Sequence, residues 1–320
     1  MLRKCCTIVL RRNSKAETTD LIKDIIKKHI RNEILRFDEP MKFHTTFRIG
    51  GPCDVMVTPE NIDDIRGVVL LCNEKEIPLT VTGNGSNMVV RDGGIRGVVL
   101  KISDNFCYVT HNDEVMTAQA GALLSTVAHK AMNQSFAGLE FASGIPGTVG
   151  GGVMMNAGAY GGELKDVLIY SVYMDEKGEI VRIGNEDHGF GYRKSIFSDS
   201  KYIILESSFK LEKGKRADIK ARMADLNKRR RDKQPLAIPN AGSVFKRPEG
   251  YYAGALIEQC NLKGCRFGGA CVSEKHAGFI VNDKGASAAD VEHLMEYVRE
   301  TVYNKTGVRL VPEIRFIGEG

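Results

Sequence analysis

Between Gly144 and Gly162 the chain places eight glycines within nineteen residues. They fall in the runs Gly144-Ile145-Pro146-Gly147-Thr148-Val149-Gly150-Gly151-Gly152 and Asn156-Ala157-Gly158-Ala159-Tyr160-Gly161-Gly162-Glu163. Glycine loses more backbone entropy on folding than any other residue, so a block this dense is destabilising unless it serves a purpose. Either the backbone must lie against something flat or charged, or it must pack closely on its own domain.

A second glycine motif precedes it. The apolar stretch Leu79 to Thr82 predicts a short strand that runs into Gly83-Asn84-Gly85-Ser86-Asn87. Two glycines after a strand let backbone approach a ligand, Ser86 and Asn87 add a hydroxyl and an amide, and free N–H groups can bind phosphate. An ordinary strand–turn–strand has the same look. The motif is not a Rossmann fingerprint, because Met88 stands where a third Gly is needed, and no Gly-Lys-Ser/Thr follows to make a Walker loop. A dinucleotide's pyrophosphate or an isoalloxazine ring would fit the glycine block.

The rest of the chain reads as mixed α/β. A helix is expected from about Thr19 to Asn32 with Leu21, Ile22, Ile25, Ile26 and Ile30 on one face. A second is expected after Thr58, with Pro59 in the first helical position. Strands follow at Met88 to Arg91 and Val98 to Ile102, and residues 105–211 are strand-rich. A basic helix spans about Arg216 to Arg231, Pro235 and Pro239 mark a turn, and a last helix runs from Ala288 to about Tyr303 behind a Ser287/Asp290 capping box. No internal repeat is visible. With 320 residues, the chain has room for two or three domains.

Composition narrows the function classes. The balance of 45 Lys and Arg against 40 Asp and Glu gives +5, compatible with an anionic substrate and too weak to argue for nucleic acid. The run Arg229-Arg230-Arg231 reads as the solvated face of its helix. Eight cysteines (5, 6, 53, 72, 107, 260, 265 and 271) form no C-x-x-C pair, and no His stands at zinc-ligand spacing, so no metal site is expected. The seven histidines make no helical zinc motif, and there is no G-x-S-x-G nucleophile elbow. No apolar run approaches the ~18 residues of a membrane span. Residues 1–18 read as a poorly ordered extension, and the Cys5-Cys6 pair has no explanation.

Three further segments complete an ordered set: Tyr192-Arg193, Gly242-Ser243-Val244-Phe245-Lys246-Arg247-Pro248 and Pro312-Glu313-Ile314-Arg315-Phe316-Ile317-Gly318. Each alone is weak. Together with the two glycine motifs, in this order and across about Phe43 to Gly318, they resemble the UDP-N-acetylenolpyruvoylglucosamine reductases. The glycine motifs also resemble the wider vanillyl-alcohol-oxidase (PCMH-type) flavoproteins. The short stretch from Tyr192 to Asn240 and the ending just after Gly318 resemble the type II branch, which lacks a tyrosine-bearing insertion. The extension has no counterpart in the family, and Arg247 stands where some members carry Asn.

The resemblance implies an α+β or α/β architecture. A PCMH-type FAD-binding domain would span 19–212 (subdomains 19–104 and 105–212), with a C-terminal α+β substrate-binding domain at 213–320. It implies a cytoplasmic, monomeric enzyme, off the membrane, that uses non-covalent FAD and NADPH on a UDP-sugar. Carried over by motif, Arg193, Ser243 and Glu313 are the catalytic residues. Gly83, Asn84, Gly85, Ser86, Asn87, Gly144, Ile145, Pro146, Gly147, Thr148, Gly151, Gly152, Asn156, Ala157 and Gly158 would hold the cofactor. Tyr192, Lys246, Arg247 and Gln259 would hold the substrate. An oxidase of small alcohols or sugars on the same fold would share the glycine motifs but would not need Ser243 or Glu313. A nucleic-acid module built on the basic helix would want aromatic residues among the charges, and 214–234 has none.

Overall fold

The computed structural model describes residues 15–320. Most of the expected extension, with Cys5 and Cys6, lies outside the described residues. Two compact units are present, and both are discontinuous in sequence. The first comprises residues up to Asp38, then Asp54–Asn84 and Gly97–Lys228; the second comprises Glu39–Cys53, Gly85–Arg96 and Arg229–Gly320.

The first unit opens with helix Lys15–His29, which starts four residues earlier than expected and buries Ile22 and Ile26, with Ile30 buried just past its end. Helix Ile62–Glu74 starts three residues beyond Pro59, because the Asn61 side chain accepts the Asp64 N–H at 2.9 Å and caps it. These helices pack on a four-stranded sheet ordered Leu35–Pro40, Pro52–Val57, Ile95–Lys101, Leu79–Thr82, in which the last two strands are parallel. The strand expected at Val98 begins at Ile95.

A second layer of the same unit is a five-stranded antiparallel sheet ordered Ile180–Gly184, Leu168–Met174, Ile203–Lys210, Val115–Gln119, Val109–Asn112. Helices Leu124–Asn133 and Val149–Met154 share its core through Leu124, Val127, Val149 and Val153. Helix Arg216–Lys233 turns Ile219, Met223 and Leu226 inward, as its pattern predicts.

The second unit holds a four-stranded sheet ordered Asn240–Ser243, Phe279–Asn282, Ala270–Val272, Arg266–Phe267. Helices Ala253–Gln259 and Ala288–Thr306 pack on it. The Ser287/Asp290 capping box is present, and Asp92 adds a second cap by accepting the N–H groups of Ala288 (2.9 Å) and Ala289 (3.1 Å). Strand Arg315–Ile317 pairs in parallel with Met88–Val90. Phe47 and Ile49 join this core, and the Asn282 amide donates to the Phe47 carbonyl at 3.1 Å.

Among the described residues no helix is long and apolar enough to cross a membrane, and no group of His, Cys, Asp or Glu could hold a metal ion. Burial pushes the Cys72 thiol up to about 12.

Candidate active site

In the first unit the two glycine motifs meet. A Cβ on Gly83 would lie 2.4 Å from the Thr148 hydroxyl, closer than real Cβ contacts come, so only glycine fits there. Beside it the Asn84 amide donates to the Pro146 carbonyl at 2.6 Å. Thr148, 2% exposed, caps helix Val149–Met154 by accepting the Gly151 N–H. The N–H groups of Gly83 and Asn84 have no protein acceptor among the described residues, and the same holds in the second unit for Gly85, Ser86 and Asn87. Consecutive unpaired N–H groups make a receptor for phosphate oxygens.

The glycine block also packs on its own domain. Gly150 rests on Ala120, Gly152 on Leu124 and Leu164, and Gly162 on the Phe141 ring, each too near for a Cβ. Gly151 and Gly161 are exposed, and nothing lies within 4 Å of where a Cβ on Gly161 would stand. Close packing on the domain therefore accounts for Gly150, Gly152 and Gly162, while Gly151 and Gly161 leave their backbone open.

Arg193 also lies in the first unit. Tyr192 and Arg193 form the tip of a tight turn closed by hydrogen bonds between Gly191 and Lys194 at 3.0 and 3.4 Å. Arg193 adopts a left-handed backbone (φ 55°), where glycine is the usual occupant. Its guanidinium donates to the Gly158 carbonyl at 3.4 Å, and Tyr192 is half exposed. The flanking chain is pinned by the Ser195 and Ser198 hydroxyls, which donate to the Met154 carbonyl at 2.8 and 3.0 Å.

In the second unit, the chain just after strand Asn240–Ser243 runs antiparallel beside the segment that holds Glu313. The Glu313 N–H donates to the Val244 carbonyl and the Lys246 N–H to the Val311 carbonyl, both at 2.8 Å, and Phe245 stands opposite Pro312. Glu313 thus faces Val244, one residue from Ser243. The Asn87 amide, expected at the cofactor, donates to the Glu313 carbonyl at 3.2 Å and ties down that segment. Ser243 follows Gly242, whose φ of +80° makes the bulge that precedes it. Among the described residues the Ser243 hydroxyl has no hydrogen-bonding partner. Arg247 lies over the Tyr252 ring at 4.0 Å, and Gln259 is exposed at the end of its helix.

Glu163, at the end of the Asn156–Glu163 run, was not among the expected site residues. Its carboxylate is held below the usual range, first by the Lys165 hydrogen bond, then by the Asn156 amide and the charges of Lys165 and Arg193, against a weaker pull from burial. Its only sequence signal was an acid among glycines.

Residues 53–184 match the family model described as FAD binding domain, and residues 234–317 match the one described as UDP-N-acetylenolpyruvoylglucosamine reductase, C-terminal domain. Fold and cradle together define a flavoprotein that binds FAD. A UDP-N-acetylenolpyruvoylglucosamine reductase of Clostridioides difficile (strain 630) is 50% identical over 287 residues, covering 90% of this chain and 94% of the relative. The enzyme of Caldanaerobacter subterraneus subsp. tengcongensis is 45% identical over 300 residues, covering 94% and 99%. The crystal structure of the Thermus caldophilus enzyme superposes with a TM-score of 0.76 at 33% identity, covering 88% of this chain and 97% of that one. The chain belongs to the UDP-N-acetylenolpyruvoylglucosamine reductase family.

Proposed function

We propose that this chain reduces UDP-N-acetylenolpyruvoylglucosamine to UDP-N-acetylmuramate with NADPH, a step of peptidoglycan synthesis. The observation that carries the reading is 50% identity with a reductase of that name over nine tenths of the chain. We further take the protein to be a cytoplasmic monomer that binds no nucleic acid; the lack of aromatic residues in 214–234 supports the last point.

When bound, FAD supplies a two-electron relay from NADPH to C3 of the enolpyruvyl ether. The Gly83–Asn87 loop, with its unpaired N–H groups, would hold the cofactor's pyrophosphate, and the exposed backbone at Gly151 and Gly161 leaves room for its flat parts. Hydride arrival at C3 leaves negative charge at C2 and its carboxylate. Groups that meet charge as it develops accelerate the step. Arg193 would grip the carboxylate with its planar fork. Glu313 would steady the enolate-like centre by hydrogen bonding. Ser243, whose hydroxyl is uncommitted among the described residues, would give its proton to C2, which is basic enough at that moment to take it. Tyr192, Lys246, Arg247 and Gln259 would hold the UDP-sugar.

Stopped-flow kinetics of Ser243→Ala test this reading. FAD binding and flavin reduction by NADPH should stay near the parent values. Reoxidation by the enolpyruvyl substrate should slow by about 10²–10⁴-fold, the usual worth of general acid catalysis. Ser243→Cys should recover part of the loss. Fast reoxidation in Ser243→Ala would remove Ser243 from proton donation.

A further inference from the structure

We propose that Asn156 is the positioning residue for Arg193, and that it serves substrate reduction without touching the cofactor. The inference rests on the role given to Arg193 above. By motif, Asn156 stood among the cofactor-binding residues; its surroundings point elsewhere. It is 1% exposed, and its amide is committed on both sides. Nδ2 donates to the Gly191 carbonyl at 3.2 Å and to Glu163 Oε2 at 3.0 Å, while Oδ1 accepts the Lys165 N–H at 3.1 Å. Both amide protons are used within the protein.

The partners share one geometric effect. Gly191 opens the turn that carries Arg193, so the amide ties that turn to the Gly158–Glu163 hairpin. The same hairpin gives Arg193 its carbonyl contact at Gly158 and, in Glu163, an attracting charge. A Cβ on Gly158 would come 2.7 Å from Glu163 Cγ, so hairpin and carboxylate are packed without slack. Arg193 itself occupies a left-handed conformation, unfavourable for a side-chain-bearing residue. Such a conformation persists only where the surroundings over-determine it, and such sites cluster where function needs a group held ready. Asn156 is also left-handed (φ 43°), a region asparagine tolerates better than most residues, so the amide reaches Gly191 from a backbone that alanine would disfavour.

Asn156→Gly separates the amide from the backbone, because glycine keeps the left-handed conformation freely. The holoenzyme variant should retain FAD, its visible spectrum and its rate of reduction by NADPH. Reoxidation by the enolpyruvyl substrate should slow by about tenfold to a hundredfold, the range for losing hydrogen bonds that orient a charged group. Calorimetric titration should show weaker substrate binding, and amide hydrogen exchange at Gly191 and Lys194 should quicken. In an Arg193→Ala background, adding Asn156→Gly should slow reoxidation no further, since the amide acts through the arginine. Additive losses in that pair would overturn the proposal. So would FAD loss in Asn156→Gly with reoxidation normal once FAD is restored, the behaviour of a cofactor contact. If Arg193→Ala alone reoxidises at the parent rate, the role of Arg193 falls and this inference with it; if Arg193→Ala is slow and Asn156→Gly is not, this inference alone falls.

Discussion

The Arg247 guanidinium lies over the Tyr252 ring at 4.0 Å, a cation–π contact that restrains a flexible side chain a few residues beyond Ser243. A guanidinium so held still offers a planar edge of donors to a phosphate. Arg247→Ala should therefore weaken binding of the UDP-sugar by about tenfold or more, the worth of hydrogen bonds to a charged partner. Flavin reduction by NADPH should not change. Arg247→Lys should recover only part of the affinity, because an ammonium neither stacks as well nor forks. An equal fall in both half-reactions would show that Arg247 does not act through the substrate. At this scale the sequence offered candidates rather than settings. Ser243, Arg193 and Glu313 were singled out by motif. That Glu313 faces Val244 was not, because the pairing joins segments far apart in the chain. Nor was the left-handed turn at Arg193, since arginine rarely adopts it and nothing local announces it.

Short-range chemistry made most elements legible, and long-range contact hid the rest. The Ser287/Asp290 box announced helix Ala288–Thr306 because a cap is written within four residues. Pro59 misled by three residues because Asn61 offers a better cap than proline offers a start. Contiguous domain boundaries were the natural reading of the sequence, yet 39–53 and 85–96 belong to the compact unit of the C-terminal residues. Their tie to it, such as Phe47 bonded to Asn282, has no local signature. The meeting of the two glycine motifs also belongs to this scale, and it yields a prediction. Gly83→Ala should drive its methyl into the Thr148 hydroxyl at 2.4 Å, part the Gly83–Asn84 loop from the Pro146–Thr148 loop, and lower the bound FAD of the purified protein. Thr148→Ala removes the hydroxyl and a helix cap, at about 0.5–2 kcal/mol of stability. The double variant Gly83→Ala, Thr148→Ala should bind more FAD than Gly83→Ala alone, because the nearest obstacle has gone and Thr148 Cβ stands back at 3.3 Å. Equal FAD content in the two would mean the close approach at Gly83 is not what shapes the cradle.

Across the whole molecule, each unit carries a histidine whose pKa desolvation lowers, fully buried at His188 and partly buried at His276. His188, fully buried in the first unit, bonds the Gly184 carbonyl through Nδ1 at 2.7 Å and the Ser171 hydroxyl through Nε2 at 2.9 Å, and it stacks on Phe190. His276, in the second unit, accepts the Gly278 N–H on Nδ1 at 3.1 Å, a bond that only the unprotonated nitrogen can make. Burial lowers both pKa values below 6.5, outweighing the backbone carbonyls and the acids Asp187 and Glu186 near His188, and Glu258 near His276, where Lys263 and Lys233 reinforce burial. A histidine with a depressed folded pKa contributes its full stability above 6.5, where both states are neutral. Below 6.5 the unfolded chain takes up the proton first, so stability falls as pH drops toward the folded values. The carboxylates with depressed values, Asp64, Glu114, Glu163 and Asp290, start from 3.8 or 4.5 and lose their contributions only in more acid solution. The interval from pH 6.5 to about 5 therefore reads the histidines, opposed only by Glu206, whose carboxyl burial raises above 4.5 and whose contribution grows as pH falls. With FAD held saturating, so that ligand binding does not move the curve, urea midpoints should be flat above pH 7 and fall steadily below 6.5. His188→Gln and His276→Gln should each lower stability at pH 7.5 and each flatten the slope between 6.5 and 5. An unchanged slope in both variants would assign the acid sensitivity to other groups.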